Sequence, residues 1–299
     1  MSVSNRLNSL PGSHAGSRRS FLKLGAAALA SAALAGGTLP GLALAAEDGP
    51  GGDEYGGLKM GIQSYTLRDR SFDKMLDTMK DELKLHYLEI YPLHILGMGH
   101  KAVLEKLKAA AVKALSYGVI GFTKDDAANR KHFDLAKELE LVNLTCDPDP
   151  DAFGSLDKLT EEYGITAAIH DHGPLHRWGK IDTIEKAIKD HSKMIGLCCD
   201  TGHFIRAGED PLRAIEVFKD RLYGVHLKDF KQKGKDWEDV PAGDANLNVD
   251  RLVKALLANK YAGGVLIEFE GQKKDDPSYP VKASQTSLER VREAVKKAR

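Results

Sequence analysis

From about position 58 onward, short apolar runs alternate with stretches whose apolar residues recur every three to four positions. A run of four to seven apolar residues bounded by turn formers predicts a buried strand. A 3.6-residue period predicts a helix with one face turned inward. On this basis strands are expected at 59–65, 87–91, 119–122, 142–146, 166–170, 196–200, 222–227 and 265–269. Helices are expected at 72–83, 101–116, 127–140, 156–163, 184–190, 211–219, 249–259 and 287–297. Ser71 and Asp210-Pro211 mark helix starts, and Gly118 and Gly164 mark helix stops. Eight strands in strict alternation with eight helices predict an α/β chain forming a single-domain (β/α)8 TIM barrel over 58–299, not an open doubly wound sheet. No Gly-x-Gly-x-x-Gly follows the first strand, so a nicotinamide-binding reading has no foothold.

The segment ahead of the barrel is an address. Ser17-Arg18-Arg19-Ser20-Phe21-Leu22-Lys23 reads as a twin-arginine signal, followed by an Ala/Leu/Gly run and a small-residue cleavage site at Ala43-Leu44-Ala45. The expected organisation is a signal peptide at 1–45, a flexible Gly-rich linker at 46–57 and the barrel thereafter. Removal of 45 of the 299 residues leaves a chain close to the ~250 typical of one such barrel. Export to the periplasm or the exterior follows, with an uncleaved signal acting as a membrane tether as the alternative. Gly36, Gly37 and Pro40 interrupt the apolar run, and no second one follows, so no stable membrane insertion is expected after cleavage.

Composition narrows the partners. Forty-three acidic and 43 basic side chains cancel, which argues against a nucleic-acid partner. Three cysteines, two of them adjacent in an apolar run, make no disulfide framework. Nothing in the sequence excludes an oligomer.

The strand ends carry the chemistry. A parallel barrel works at the C-terminal ends of its strands. Three of the later runs close on Asp200, His226 and Glu268, which is what a divalent cation needs at the mouth. Strand one ends at Gln63, strand two carries Glu89 and then His94, and strand four runs into Asp147. Strand five is the most loaded, with His170-Asp171-His172 and then His176-Arg177-Trp178. His203 and Arg206 follow Asp200, Lys228 and Asp229 follow His226, and Glu270 follows Glu268. Gln63, Glu89, His94, Lys228 and Arg206 are candidate substrate contacts. Glu89 and His94 divide between pocket and packing, Lys228 between substrate and an ion pair with Asp229, and Arg206 between substrate and Glu209.

The runs Leu88-Glu89-Ile90-Tyr91, Asp200-Thr201-Gly202-His203, His226-Leu227-Lys228-Asp229 and Ile267-Glu268 resemble the xylose isomerase-like sugar isomerase/epimerase superfamily, over essentially the whole of the chain from position 59. That group includes D-tagatose/psicose 3-epimerases and inosose dehydratases, and the exported sugar phosphate isomerase/epimerase proteins of bacteria are the most similar in character. The resemblance implies Asp200, His226 and Glu268 as metal ligands and His203 as a substrate contact. Epimerases of this group usually close strand five with Glu, which binds the metal and also serves as a second base. His170 stands there instead. Two carboxylates with two imidazoles suit Mn, Zn, Co or Fe better than Mg.

The resulting expectation is one divalent metal on His170, Asp200, His226 and Glu268. It would serve an isomerase, epimerase or related lyase that abstracts a proton next to a carbonyl and passes through a metal-stabilised enediolate. Glu268 is the first candidate base and His172 the second. The expected partner is a small, non-phosphorylated keto sugar or sugar derivative. The alternative is a non-catalytic carbohydrate-binding barrel with a degenerate metal site.

Overall fold

The computed structural model describes residues 54–299; the signal peptide, its cleavage site and linker residues 46–53 lie outside the described residues. Eight parallel strands close on themselves: β1 (Lys59–Gln63), β2 (Tyr87–Ile90), β3 (Lys113–Phe122), β4 (Asn143–Pro148), β5 (Thr166–His170), β6 (Ile195–Asp200), β7 (Leu222–Leu227) and β10 (Gly264–Ile267). Around the barrel they run β1-β10-β7-β6-β5-β4-β3-β2. The principal intervening helices are α1 (Phe72–Thr78), α2 (His100–Ala109), α3 (Asp126–Glu138), α4 (Phe153–Tyr163), α5 (Ile181–Ile188), α7 (Pro211–Val217), α8 (Val249–Ala258) and α9 (Tyr279–Ala298). This is the TIM barrel that the alternation predicts. No described helix is long and apolar enough to cross a membrane.

Side-chain alternation sorts the strands into two layers. Ile62, Leu88, Ile169, Leu197, Val225 and Ile267 are buried in the core between sheet and helices. Their neighbours point into the barrel, where Ala168, Cys198 and Gly224 keep the lower interior narrow and Gln63, Glu89, His170, Asp200 and His226 occupy the upper end. Register sets the polar layer: Gln63 pairs with Glu89, Glu89 with Ser116, and Asp200 with His226.

Several helix boundaries have local causes that the sequence announces. Ser71 Oγ accepts the Lys74 amide, and Asp210 Oδ1 accepts that of Leu212, so both act as N-caps. Gly164 takes a left-handed φ of 67° at the end of α4. The helix expected over 101–116 is shorter. It ends at Ala109 because Ala111 turns left-handed (φ 53°), and β3 begins at Lys113. The alanine-rich run favours a helix by propensity, and the burial available to Ala114, Leu115 and Tyr117 in the barrel overrides it. Gly118 is accordingly no helix stop. It lies inside β3, where a Cβ would come within 2.4 Å of the Thr145 carbonyl oxygen.

Other differences follow from contacts distant in sequence. The end of the expected linker, 54–57, forms a turn in which Tyr55 is buried beneath the Arg292 guanidinium. The last helix starts at Tyr279, not at 287. A short helix, α6 (Thr201–Arg206), follows β6 directly, and an antiparallel hairpin, β8 (Asp229–Lys233) with β9 (Asp236–Val240), stands outside the barrel. Neither follows from periodicity.

Asp229 organises that excursion. Its buried carboxylate accepts four backbone N–H groups, from Gly243 and Ala245 on Oδ2 and from Asn246 and Leu247 on Oδ1, at 3.0–3.1 Å. It makes no ion pair with Lys228, and the loop that leads into α8 hangs on it. Hydrogen bonds to a charged acceptor contribute ~1.5–3 kcal/mol each, and stranded donors add to the loss. Asp229→Ala is expected to cost at least ~3 kcal/mol in urea denaturation. Proteolytic cleavage should open first within 241–247; an unchanged denaturation midpoint would refute this account.

Candidate metal centre and active site

Four strand ends converge at the mouth of the barrel. One donor atom from each of His170, Asp200, His226 and Glu268 lies within 4.8 Å of the others, and all four residues are buried. His170 Nε2 stands 3.0 Å from His226 Nδ1 and 3.6 Å from both Asp200 Oδ2 and Glu268 Oε2. His226 Nδ1 is 3.1 Å from Glu268 Oε2. Donors held at ~2.1 Å around a single cation are separated by roughly 3.0–3.5 Å, so this spacing is that of a coordination shell. Asp200 Oδ2 is buried, accepts no well-directed hydrogen bond although Lys228 Nζ lies 3.2 Å away, and faces that point. The residues present fit a divalent cation.

Glu89 backs the cluster. Its Oε1 lies 3.1 Å from His226 Nε2, and Oε2 accepts the hydroxyls of Ser116 and Thr145 at 2.5 Å each. The Gln63 amide donates to Oε1 at 3.2 Å and to the Gly118 carbonyl. A carboxylate behind a histidine keeps the proton on the far nitrogen and turns the other lone pair toward the metal. With the residue 1% exposed and every contact internal, Glu89 supports His226 and is not placed to meet a substrate.

A lysine stands in the same layer. Lys228 Nζ is 3.2 Å from Asp200 Oδ2, 3.0 Å from Glu268 Oε2 and 2.7 Å from Glu270 Oε1. Burial opposes its charge, yet Asp200, Glu268 and Glu270 outweigh burial and raise its pKa well above the ordinary lysine value. Burial would also raise the pKa of the Asp200 and Glu268 carboxyls. Lys228 in turn outweighs it, with His203 and His170 aiding at Asp200 and His226 at Glu268, so both acids are held below the ordinary carboxylate range. Burial lowers the His170 pKa, but the bonds to Asp200 and Glu268 prevail and raise it to about 9.

Above the cluster opens a cavity of about 230 Å³. His170 and Glu268 form its floor; Tyr65, Tyr91 and Val119 line one part, and His172, His203 and Glu270 another. Burial, reinforced by the charge of neighbouring imidazoles, pulls His172 down to about 2. Burial likewise leads at His203, which falls to about 4. Both rings are therefore neutral near pH 7.

Of the remaining candidates, Gln63 reaches this lining and His94 and Arg206 do not. His94 is fixed between the Ser64 hydroxyl and the Arg70 carbonyl, at 2.9 and 3.1 Å. Arg206 lies over the Phe230 ring with Nη1 3.5 Å from His203 Nδ1, and Glu209 pairs instead with Lys180 and Arg213. Gln63 touches the cavity, but its amide is committed to Glu89 and Gly118. The aromatic wall of Tyr65 and Tyr91, in edge contact at 4.8 Å, carries a sequence signal in two tyrosines that each follow a strand. Asp171 had none. Its Oδ1 accepts the Asp200 amide, and burial together with the Asp200 charge raises its pKa well above the carboxylate range.

Residues 151–294 match the family described as xylose isomerase-like TIM barrel. The inosose dehydratase of Lactiplantibacillus plantarum is 28% identical over 137 residues, 40% of this chain and 44% of that protein. The chain thus spans less than half the length of the curated relatives it matches. The 3-keto-D-glucoside 4-epimerase of E. coli shares the fold, with a TM-score of 0.63 at 15% identity over 78% of this chain and 99% of that one. So does the IolI protein, solved with a zinc atom, with a TM-score of 0.62 at 16% identity over 81% and 99% of the two chains.

Two outcomes follow from this geometry. Glu89→Gln should weaken zinc affinity ~10–100-fold, measured by competition with a chromogenic chelator; unchanged affinity would remove Glu89 from the site. Asp239 provides the second. Burial raises its pKa from 3.8 to about 8, so the folded state holds a proton there that the unfolded chain releases above about 4. Its stability contribution therefore falls as pH rises from about 4 to about 8. Asp239→Asn, which can still accept the Glu270 amide, should gain melting temperature over the parent progressively across that window. A constant difference would contradict the assignment.

Proposed function

We propose that this chain, whose residues 151–294 match the xylose isomerase-like TIM barrel family, is a divalent-metal-dependent enzyme that removes a proton beside the carbonyl of a keto sugar or related cyclic polyol ketone. The product arises by isomerisation, epimerisation or loss of water. The observation that carries this reading is the convergence of His170, Asp200, His226 and Glu268 on one point at the floor of a sugar-sized cavity. The match to an inosose dehydratase and the shared fold with a 3-keto-D-glucoside 4-epimerase support the same class of substrate.

A cation held by those four residues would polarise the carbonyl and make the neighbouring carbon acid easier to ionise. The chain's own residues supply the rest. Glu268 directs Oε2 at His170, His226 and Lys228, which leaves Oε1 as the oxygen able to take the proton from a ligand in the cavity. Lys228 keeps Glu268 and Asp200 ionised while they are shielded from water. The neutral rings of His172 and His203 offer both a donor and an acceptor to sugar hydroxyls. Tyr65 and Tyr91 give the C–H face of a ring an apolar wall. Strand five closes on an imidazole, so a second carboxylate base from that strand is absent, which favours a reaction that needs one base.

The decisive assay is exchange of the α-proton in deuterium oxide. Metal-loaded protein, offered a panel of keto sugars and inososes, should introduce deuterium beside the carbonyl of at least one, read by proton NMR. Glu268→Gln should slow that exchange ~10²–10⁴-fold. Metal-replete protein that exchanges nothing in the panel yet binds a sugar would leave the carbohydrate-binding reading in its place.

A further inference from the structure

Beside the four-ligand cluster, at the same mouth, a second group of metal-competent side chains comes together. Asp147 lies near the end of β4, and His172 and His176 belong to the connection from β5 to α5. One donor atom from each lies within 4.8 Å of the other two. His176 Nε2 is 3.1 Å from Asp147 Oδ2, and the rings of His172 and His176 are 4.6 Å apart. Asp147 Oδ1 and His172 Nδ1 are buried atoms without a hydrogen-bond partner. Buried polar atoms of this kind are costly unless some other group meets them.

We propose that Asp147, His172 and His176 form a second binding site for a divalent transition-metal cation. This goes beyond the function proposed above and does not rest on it: the two clusters share no residue, and a cation on His172 would take the lone pair that this ring otherwise offers to a sugar hydroxyl, leaving its N–H as donor. Two imidazoles and one carboxylate select zinc, cobalt, manganese or iron over magnesium or calcium. Three protein ligands leave coordination positions open, the arrangement of sites that engage water or a ligand, not of structural sites. The open side faces the common cavity, because His172 lines it and its ring lies 4.7 Å from that of His170.

Two contacts compete with a cation. Arg177 Nε is 3.6 Å from Asp147 Oδ1 while its Nη1 bonds Asp149 at 2.5 Å. Its side chain is 41% exposed, so it can draw back onto Asp149 without stranding a charge. The Trp178 amide donates to His176 Nδ1 at 3.3 Å, a long bond that ligation through Nε2 would give up. A network that existed only as ion pairs would lose stability when Arg177 is removed and would take up no metal. A metal site would gain affinity from the same change.

The test is metal stoichiometry. Chelator-stripped protein is reloaded with zinc chloride, freed of excess by gel filtration and analysed for zinc, with calorimetric titration in parallel. The parent should retain two equivalents, Asp147→Ala and His176→Gln one each, and Asp200→Ala one. Arg177→Ala should tighten the site lost in His176→Gln by several-fold. Both Asp147 and His176 are about a quarter exposed, and circular dichroism verifies that the variants fold. A second equivalent that persists in both variants, an adventitious ion only, would overturn the proposal. So would a parent that holds a single equivalent abolished by Asp200→Ala, an outcome that leaves the proposed function standing. A single equivalent lost in His176→Gln but kept in Asp200→Ala would support the second site and sink the first.

Discussion

The buried ammonium of Lys228 is the interaction on which the site depends. Taking an ammonium or a carboxylate out of water alone costs several kcal/mol, and mutual attraction offsets this only where geometry is tight and hydrogen bonds complete the shell. Lys228 meets three carboxylates at 2.7–3.2 Å, from Asp200, Glu268 and Glu270. Its backbone is fixed as well. The Thr201 hydroxyl accepts the Lys228 amide and donates to the Lys228 carbonyl, which ties the start of α6 to the end of β7. The hairpin joins through Asp239, whose Oδ2 accepts the Glu270 amide at 2.6 Å. Elements β6, α6, β7, β9 and the residues after β10 are thus held around one cation.

Much of this was legible in the sequence because barrels put chemistry at regular places. The eight strands, the caps at Ser71 and Asp210 and the Gly164 stop follow from period and turn chemistry alone. The convergence of Asp200, His226 and Glu268 follows from their place at strand ends, since closure brings β6, β7 and β10 side by side. What was not legible depends on partners distant in sequence. Nothing near Glu89 reveals that it would sit behind His226, and the adjacency of Lys228 and Asp229 suggests a pairing that alternation forbids. Lys228 follows β7 and Asp229 opens β8, and extended neighbours face opposite ways, so Lys228 turns to the carboxylates and Asp229 to the 243–247 loop. The start of β3 escaped for a different reason. Alanine-rich sequence favours a helix, and only the space inside a closed barrel decides otherwise.

Histidine at position 170 changes the charge of the floor. Were a cation held, with Asp200 and Glu268 ionised, Lys228 protonated and both imidazoles giving their lone pairs to it, the four side chains and the lysine would sum to −1. A carboxylate at position 170 would make that −2, which a dication would neutralise in full. With His170, a dication would leave the floor one charge more positive than a carboxylate there would, before the Glu270 carboxylate paired with Lys228 is counted. Such a floor favours negative charge that develops beside a carbonyl in a site largely shielded from water. An imidazole instead of a carboxylate at the end of β5 would thus offer one base fewer and a more positive floor together.

The same crowding explains the acids whose ionisation burial resists. Six carboxyl groups crowd the upper barrel: Glu89, Asp171, Asp200, Asp239, Glu268 and Glu270. Lys228 can balance only part of that charge. Asp200, Glu268 and Glu270 share the ammonium, and Glu89 rests against His226 and two hydroxyls. Burial leaves Asp171 and Asp239 without comparable partners, and both pKa values rise, that of Asp239 to about 8. Each still accepts a backbone amide, Asp171 from Asp200 and Asp239 from Glu270. Both acids therefore position the backbone of the charged residues while burial resists their own ionisation. Near neutral pH, negative charge is thus concentrated on the side chains that face Lys228, His170 and His226, where a cation would be held.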